Sequence, residues 1–256
     1  MFSEFNLFGY ETGTFPVCVG IGLASGVFVI FLHLKKIAAS IAYENAVMLA
    51  IPLTFIAGTI GAHITDILLR GGLLALLKTP FAYGLTFYGW LLSASLFLAI
   101  YSKKSGISLT YLFNLFFPTF AIGQAFGRIG CFLGGCCYGS PATMTWGVSY
   151  PPDTLPYKQY GAIPLIPVQL YESAYLFLIF IVLVTLIRFK HRGALYLIML
   201  ALGRFILEFF RADDRGRLFC DTFSPSQWIS AVIFTIGILW LISINKKDKN
   251  YVSRKQ

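Results

Sequence analysis

Long apolar runs separated by short polar segments set the pattern of this chain. A bilayer core about 30 Å thick is crossed by roughly 20 residues rising about 1.5 Å each. Seven runs approach that length, at approximately 16–34, 46–68, 84–101, 108–127, 168–188, 193–210 and 226–244. Lipid offers no partner to an unpaired backbone group, so each run is expected to be helical. The pattern predicts an all-α, polytopic membrane protein of seven transmembrane helices, forming one domain over 1–256. The sizeable stretch left over, at about 129–167, carries "SYPPDTLPYKQYGAIPLIP", whose prolines favour extended and turn conformations. An ordered loop or cap is expected there rather than a tether.

Composition agrees: 57% of residues are hydrophobic, 12% are charged, and the mean hydropathy is +0.74. That excludes an ordinary soluble domain. The net charge of +9 would point to nucleic acid in a soluble chain. In a membrane chain it is read by position, because lysine and arginine collect on the cytoplasmic side. Lys35, Lys36, Lys103, Lys104, Arg188, Lys190, Arg192, Lys246, Lys247, Lys249, Arg254 and Lys255 all fall on one side of the seven-span arrangement. That side is expected to be cytoplasmic, which puts the N-terminus outside and the C-terminus inside. The first fifteen residues hold Glu4 and Glu11 and no lysine or arginine, unlike the basic start of a secretory leader.

The remaining basic residues carry more chemical information, since charge at membrane depth is costly and usually functional. Arg128 ends the fourth run and Arg204 lies inside the sixth, with Glu208 one turn further along the same face. Arg211, Arg215 and Arg217 follow on the outer side, with Arg70 and Lys78 after the second run. His63, Asp66, Tyr88, Gln169 and Glu172 also lie at outer ends of their runs. A guanidinium offers a planar fork of donors matched to phosphate oxygens, so paired arginines in this cluster fit an anion such as a phospholipid head group.

Between the fourth run and the loop stands "FGRIGCFLGGCCYG", residues 126–139. Four readings of its cysteines stay open from the residues alone. The spacing of Cys131, Cys136 and Cys137 lacks the paired C-x2-C units of a zinc site, and a redox pair would lack the usual C-x-x-C. They also fit as small residues packing where helices approach closely. In the fourth reading, the neighbouring glycines present backbone N–H groups to a phosphate beside Arg128.

"GRIGCFLGGCCYG" resembles the signature of the prolipoprotein diacylglyceryl transferase family, close to G-R-x-G-N-F-x-x-G-E-x-[WY]-G. "TFYGWL" at 86 resembles the family's F-H-G-G-L, "IPVQLYES" at 166 its H-P-S-Q-L-Y-E, and "GRFILEFFRADD" at 203 its F-R-x-x-x-E-F-F-R-x-P-D. "SPSQWIS" at 224 is similar to the segment that opens the family's last span. The resemblance implies a bacterial inner-membrane transferase with its site toward the periplasm. Family members move the diacylglyceryl group of phosphatidylglycerol to the lipobox cysteine of a prolipoprotein signal peptide. They release glycerol phosphate and use no metal or soluble cofactor. Carried over by motif, Arg128 and Arg204 hold the phosphate. Gly89, Cys131, Gly134, Gly135 and Gly139 line and shape the substrate site, with Gln169, Glu172, Glu208 and Arg211 ordering its surroundings.

The chain also departs from the family pattern. Tyr88 replaces the histidine of F-H-G-G, Trp90 its second glycine, Cys131 the asparagine of G-N-F and Cys136 the glutamate of G-E. Cys18-Val19-Gly20 stands for W-Y-G, Gly61-Ala62-His63 for G-A-R, and Leu200 for a tyrosine one turn before Arg204. A phenol of pKa about 10 is a weaker base near neutral pH than an imidazole. The catalytic set read from the sequence is therefore Arg128, Arg204, Tyr88 and His63, with His63 as the alternative base or as a packing histidine. His33 and His191 belong to the opposite, inner side. Two further readings accompany the transferase: a related enzyme that passes the lipid group to another acceptor, and a non-catalytic lipid-binding membrane protein.

Overall fold

The computed structural model describes residues 4–7, 10–70, 86–142, 146–212 and 223–253. Lys78, Arg215 and Arg217 lie outside the described residues, as does the side chain of Arg70. The elements are β1 (Glu4–Leu7), β2 (Tyr10–Gly13), α1 (Thr14–Lys36), α2 (Ile41–Arg70), α3 (Phe87–Ser105), α4 (Leu109–Leu133), α5 (Leu155–Tyr160), α6 (Val168–Thr185), α7 (Arg192–Leu207) and α8 (Pro225–Ser253). Single 3-10 turns, Phe189–His191 and Glu208–Phe210, flank α7.

Each apolar run is a helix, and six are, among the described residues, long and apolar enough to cross a membrane. The helix over the third run, α3, is not among those six; it has 19 residues and ends in "YSKKS", with Lys103 and Lys104 in its last turn. Two short strands add to the expected all-helical picture: β1 and β2 pair antiparallel, with Glu4 opposite Gly13 and Leu7 opposite Tyr10. The fourth helix also runs past its expected end at 127 to Leu133. Arg128 is thus held inside regular helix instead of ending it. The apolar pattern stops early there because Gly127, Arg128 and Gly130 interrupt it, although the backbone continues.

Two compact units divide the chain: Val29–Phe113, and Met1–Phe28 with Asn114–Gln256. In the unit over Val29–Phe113, α2 packs along α3, burying Val47, Ala50, Ala62, Leu91, Ala94 and Leu98. Gly89 permits the approach, since a Cβ there would lie 2.6 Å from Thr65 Oγ1. Lys35 and Glu44 pair at 3.2 Å across the turn between α1 and α2. Leu92 and Leu96 on α3 remain exposed and apolar, as lipid-facing positions are.

In the other unit, α7 packs against both α6 and α8. Phe116, Leu176, Ile179, Leu183, Tyr196 and Leu200 form its buried core. Small residues bring the backbones together, as is usual where lipid supplies no hydrophobic drive between helices. A Cβ on Gly22 of α1 would meet Gly123 Cα of α4 at 3.0 Å, and one on Gly26 would meet Thr119 Cβ at 3.2 Å. Hydrogen bonds complete the packing: Ser173 Oγ to the Ala125 carbonyl at 2.9 Å, Tyr175 OH to the Met199 carbonyl at 2.7 Å and Tyr196 OH to Gln124 Oε1 at 2.7 Å.

Candidate active site

Three helices of that unit bring charged side chains together in a buried interior. Glu172, one turn into α6 and 2% exposed, sits between two arginines. Arg128 of α4 donates through Nε to its Oε1 at 3.0 Å. Arg204 of α7, 3% exposed, donates through Nη1 to Oε1 and Oε2 at 3.2 and 3.1 Å. Arg204 Nη2 reaches Glu208 Oε2 at 3.2 Å, the pair expected from their spacing on one helix face. The positive charge of Arg211 also acts on Glu172. Among the described residues, three cations thus face two carboxylates, and the Arg204 Nε–H is buried without a hydrogen-bond acceptor. An excess positive charge with an unfilled donor makes a chemically incomplete site, suited to an anion with several oxygens.

The start of α8 closes one side of this network. Ser224 is the N-cap and Gln227 stands three residues on, giving the reciprocal capping box of a serine and a glutamine. The Gln227 N–H bonds Ser224 Oγ at 3.3 Å and the Ser224 N–H bonds Gln227 Oε1 at 2.9 Å. Pro225 at the first helical position needs no N–H partner. The Ser224 hydroxyl also donates to Glu208 Oε1 at 3.0 Å, so the cap holds the carboxylate that steadies Arg204. "SPSQWIS" carried that signal in the sequence.

On the other side, the loop after α4 folds back along the ends of α6 and α7. Gly139 N–H donates to the Ile166 carbonyl and Ser140 N–H to the Phe210 carbonyl, at 3.0 and 2.9 Å. Gly139 also bridges to Arg211 as an isolated antiparallel pair. No side chain fits at Gly139, because a Cβ would lie 2.6 Å from the Ile166 carbonyl oxygen and 2.7 Å from that of Phe210. Gln169 straps the loop from α6, its Nε2 donating to the Cys136 carbonyl at 2.7 Å and to Tyr150 OH at 3.1 Å. Tyr150 is buried, which raises its pKa above the usual phenol value. Its position gave no sequence signal, because a tyrosine in an irregular loop has no periodicity to show which way it points.

Gly134 and Gly135 end α4, with Gly135 in the left-handed region at φ 69°. The turn brings the Cys131, Cys136 and Cys137 sulfurs within 4.8 Å of one another. Cys137 itself adopts φ 60°, a backbone state most side chains avoid. Hydrogen bonds with Cys131 and Cys136, aided by the charges of Arg128 and Arg211, hold its thiol below the ordinary thiol range; burial opposes them. The Cys136 thiol is pushed up by hydrogen bonds with the other two and by burial.

Of the residues singled out by sequence, Arg128, Arg204, Glu172, Glu208, Arg211, Gln169, Cys131, Gly134, Gly135 and Gly139 all belong to this one unit. His63, Tyr88 and Gly89 belong to the other. There, His63 and Tyr88 are partly buried, the neighbouring Asp66 is buried, and Gly89 lies in the contact between α2 and α3.

Known proteins align with this sequence nearly end to end. The family model described as prolipoprotein diacylglyceryl transferase matches residues 5–243. The phosphatidylglycerol–prolipoprotein diacylglyceryl transferase 2 of Clostridium perfringens is 32% identical over 249 residues, covering 94% of each chain. A similarly described transferase of Clostridium tetani is 29% identical over 243 residues, 91% of this chain and 94% of its own. One from Dehalococcoides mccartyi is 28% identical over 249 residues, 92% and 90% of the two chains. With its membrane helices, its arginine–glutamate network and a match over almost its full length, this chain belongs to the prolipoprotein diacylglyceryl transferase family, a family of membrane transferases.

Proposed function

We propose that this protein transfers the diacylglyceryl group of phosphatidylglycerol to the lipobox cysteine thiol of prolipoproteins, in the bacterial inner membrane and from its periplasmic side. The observation that carries the proposal is the buried group of Arg128, Arg204 and Arg211 around Glu172 and Glu208, with the Arg204 Nε–H lacking an acceptor among the described residues. A head-group phosphate supplies the missing negative charge and oxygens. In the reaction the thiol sulfur attacks the glyceryl carbon that bears the phosphate. A C–S bond forms, the C–O bond breaks, the electron pair leaves with glycerol phosphate, and the thiol proton goes to a base. Charge growing on the leaving phosphate is stabilised by arginines already oriented by Glu172, so little reorganisation accompanies the step.

In this reading Arg128 and Arg204 bind the phosphate, while Glu172, Glu208, Arg211 and Gln169 hold the geometry. Gly134, Gly135 and Gly139 form the floor of the site, with Cys131 lining it. Tyr88 and His63 complete the proposed catalytic set by the motif positions they occupy, His63 as the alternative base. The topology has seven spans, α3 included, with the N-terminus outside. The exposed apolar residues of α3 support its place in lipid, and the basic residues at the ends of α1, α3 and α8 support the orientation. The loop at 129–167 caps the site.

Purified protein given labelled phosphatidylglycerol and a lipobox peptide should yield lipidated peptide and glycerol phosphate in equal amounts. A cysteine-to-serine peptide should remain unmodified. Tyr88, Cys131 and Cys136, which replace the family's histidine, asparagine and glutamate, favour one second reading, a different acceptor. Release of glycerol phosphate without peptide modification would support that reading, and absence of any lipid turnover would refute both.

A further inference from the structure

We infer that Cys131, Cys136 and Cys137 form a three-thiolate binding site for a thiophilic d10 metal ion of the zinc(II) class. Their sulfurs lie within 4.8 Å of one another. Thiolates bound to one zinc at about 2.3 Å stand roughly 3.8–4.0 Å apart, so closure around an ion needs only sub-ångström shifts. Thiolate ligands select soft or borderline ions such as zinc, cadmium or copper(I) over magnesium and calcium.

The chain builds this cluster by backbone design rather than by chance approach. Cys131 is on the last turn of α4, and the Gly134–Gly135 cap reverses the chain so that Cys136 N–H bonds the Cys131 carbonyl at 3.0 Å. The Gln169 amide fixes the Cys136 carbonyl at 2.7 Å. The left-handed backbone of Cys137 is strained for a residue with a side chain, and persists only where the surroundings over-determine it. It carries the third thiol onto the first two. None of the three is in a disulfide. Spacing alone argued against a metal, because C-x4-C-C lacks a C-x2-C pair; the reversal at the glycine cap supplies the convergence that spacing hides.

Charge is also matched. Binding of M2+ by the three sulfurs gives a trithiolate complex of charge −1 and releases whichever protons the thiols still carry. Arg128 acts electrostatically on Cys131 and Cys137, and Arg211 acts on Cys137. A net negative complex is therefore favoured beside them. With three protein ligands, a fourth position is left for water or another small ligand, the usual arrangement of a zinc that is not purely structural. The inference rests on the thiols and their backbone, independently of the transferase reading.

The test uses the full chain in detergent, reduced and freed of metal. Zinc(II) titrated against a chromophoric chelator should load one equivalent per chain with release of protons. Cadmium(II) should give a sulfur-to-metal charge-transfer band in the ultraviolet that saturates at one equivalent. Cys131→Ser, Cys136→Ser and Cys137→Ser should each weaken zinc binding by at least about 100-fold, beyond the range of second-shell changes, whereas Cys18→Ser should leave it unchanged. Should a serine variant misfold, the wild-type chain still decides the matter: zinc should protect Cys131, Cys136 and Cys137, but not Cys18, from alkylation mapped by mass spectrometry. No charge-transfer band, no protection, or oxidation of the trio to a disulfide equally fast with and without zinc would overturn the inference.

Discussion

Neutralising Glu172 while keeping its shape is the sharpest probe of the arginine network. In Glu172→Gln the two arginines keep their positions but lose the shared countercharge, and the amide NH2 points a donor at a donor. Arg128 Nε stands 3.0 Å from the carboxylate and Arg204 Nη1 3.1 Å, with the arginine side chains 13% and 2% exposed. At an effective dielectric of about 20, each pair at that distance is worth roughly 5 kcal/mol of Coulomb energy. Relaxation and the remaining Glu208 contact return part of it, and breaking a buried pair from one side usually costs about 3–5 kcal/mol. At about 2–4 °C per kcal/mol for a chain of this size, the apparent unfolding midpoint should fall by about 6–20 °C. Wild type and variants scanned at one rate in the same detergent provide the comparison, since the midpoint depends on scan rate. The double variant Arg128→Gln/Glu172→Gln, which removes one stranded cation, should recover at least about half of the loss. A fall of less than about 3 °C for the single variant, or strict additivity in the double, would refute the claim that Glu172 holds the two arginines together.

Other consequences follow from the same geometry. Arg204→Ala should lower phosphatidylglycerol turnover by at least about 100-fold, as loss of one preorganised charge stabiliser does; turnover within a few-fold of wild type would remove Arg204 from the phosphate site. Gly139→Ala should destabilise the loop by about 1–3 kcal/mol or more, because the added methyl meets two backbone carbonyls, and thermal scanning would show it. Gln169→Leu removes the donor to the Cys136 carbonyl and should speed amide exchange across 134–142 by about 5- to 150-fold, a loss of about 1–3 kcal/mol of local protection. Ser224→Ala breaks both the cap of α8 and the bond to Glu208, and should cost about 1–2 kcal/mol in the same thermal assay.

The helices were legible because membrane crossing imposes a length and an apolarity that few side chains can mask. All seven expected runs are helical and six of them are, among the described residues, long and apolar enough to cross a membrane, with boundaries shifted by a few residues where polar ends such as "YSKKS" or "GRIGC" blur the apolar signal. The arginines were legible for the same reason, since a charge inside an apolar run stands out. Family membership was carried by motifs that occur in order along most of the chain. Which group pairs with which was not legible. The Arg204–Glu208 pair follows from helix periodicity, but Glu172 is 32 residues from Arg204 in sequence and meets it only because α6 packs on α7 through Gly203 and Tyr175. The thiol cluster depends likewise on a left-handed turn at Gly135 and Cys137, a backbone choice that residue spacing does not reveal. Local composition determined the helices and the chemistry available to them. Long-range packing alone decided which charges share a carboxylate and which sulfurs converge, because those distances depend on how distant segments meet and not on the order of residues within any one of them.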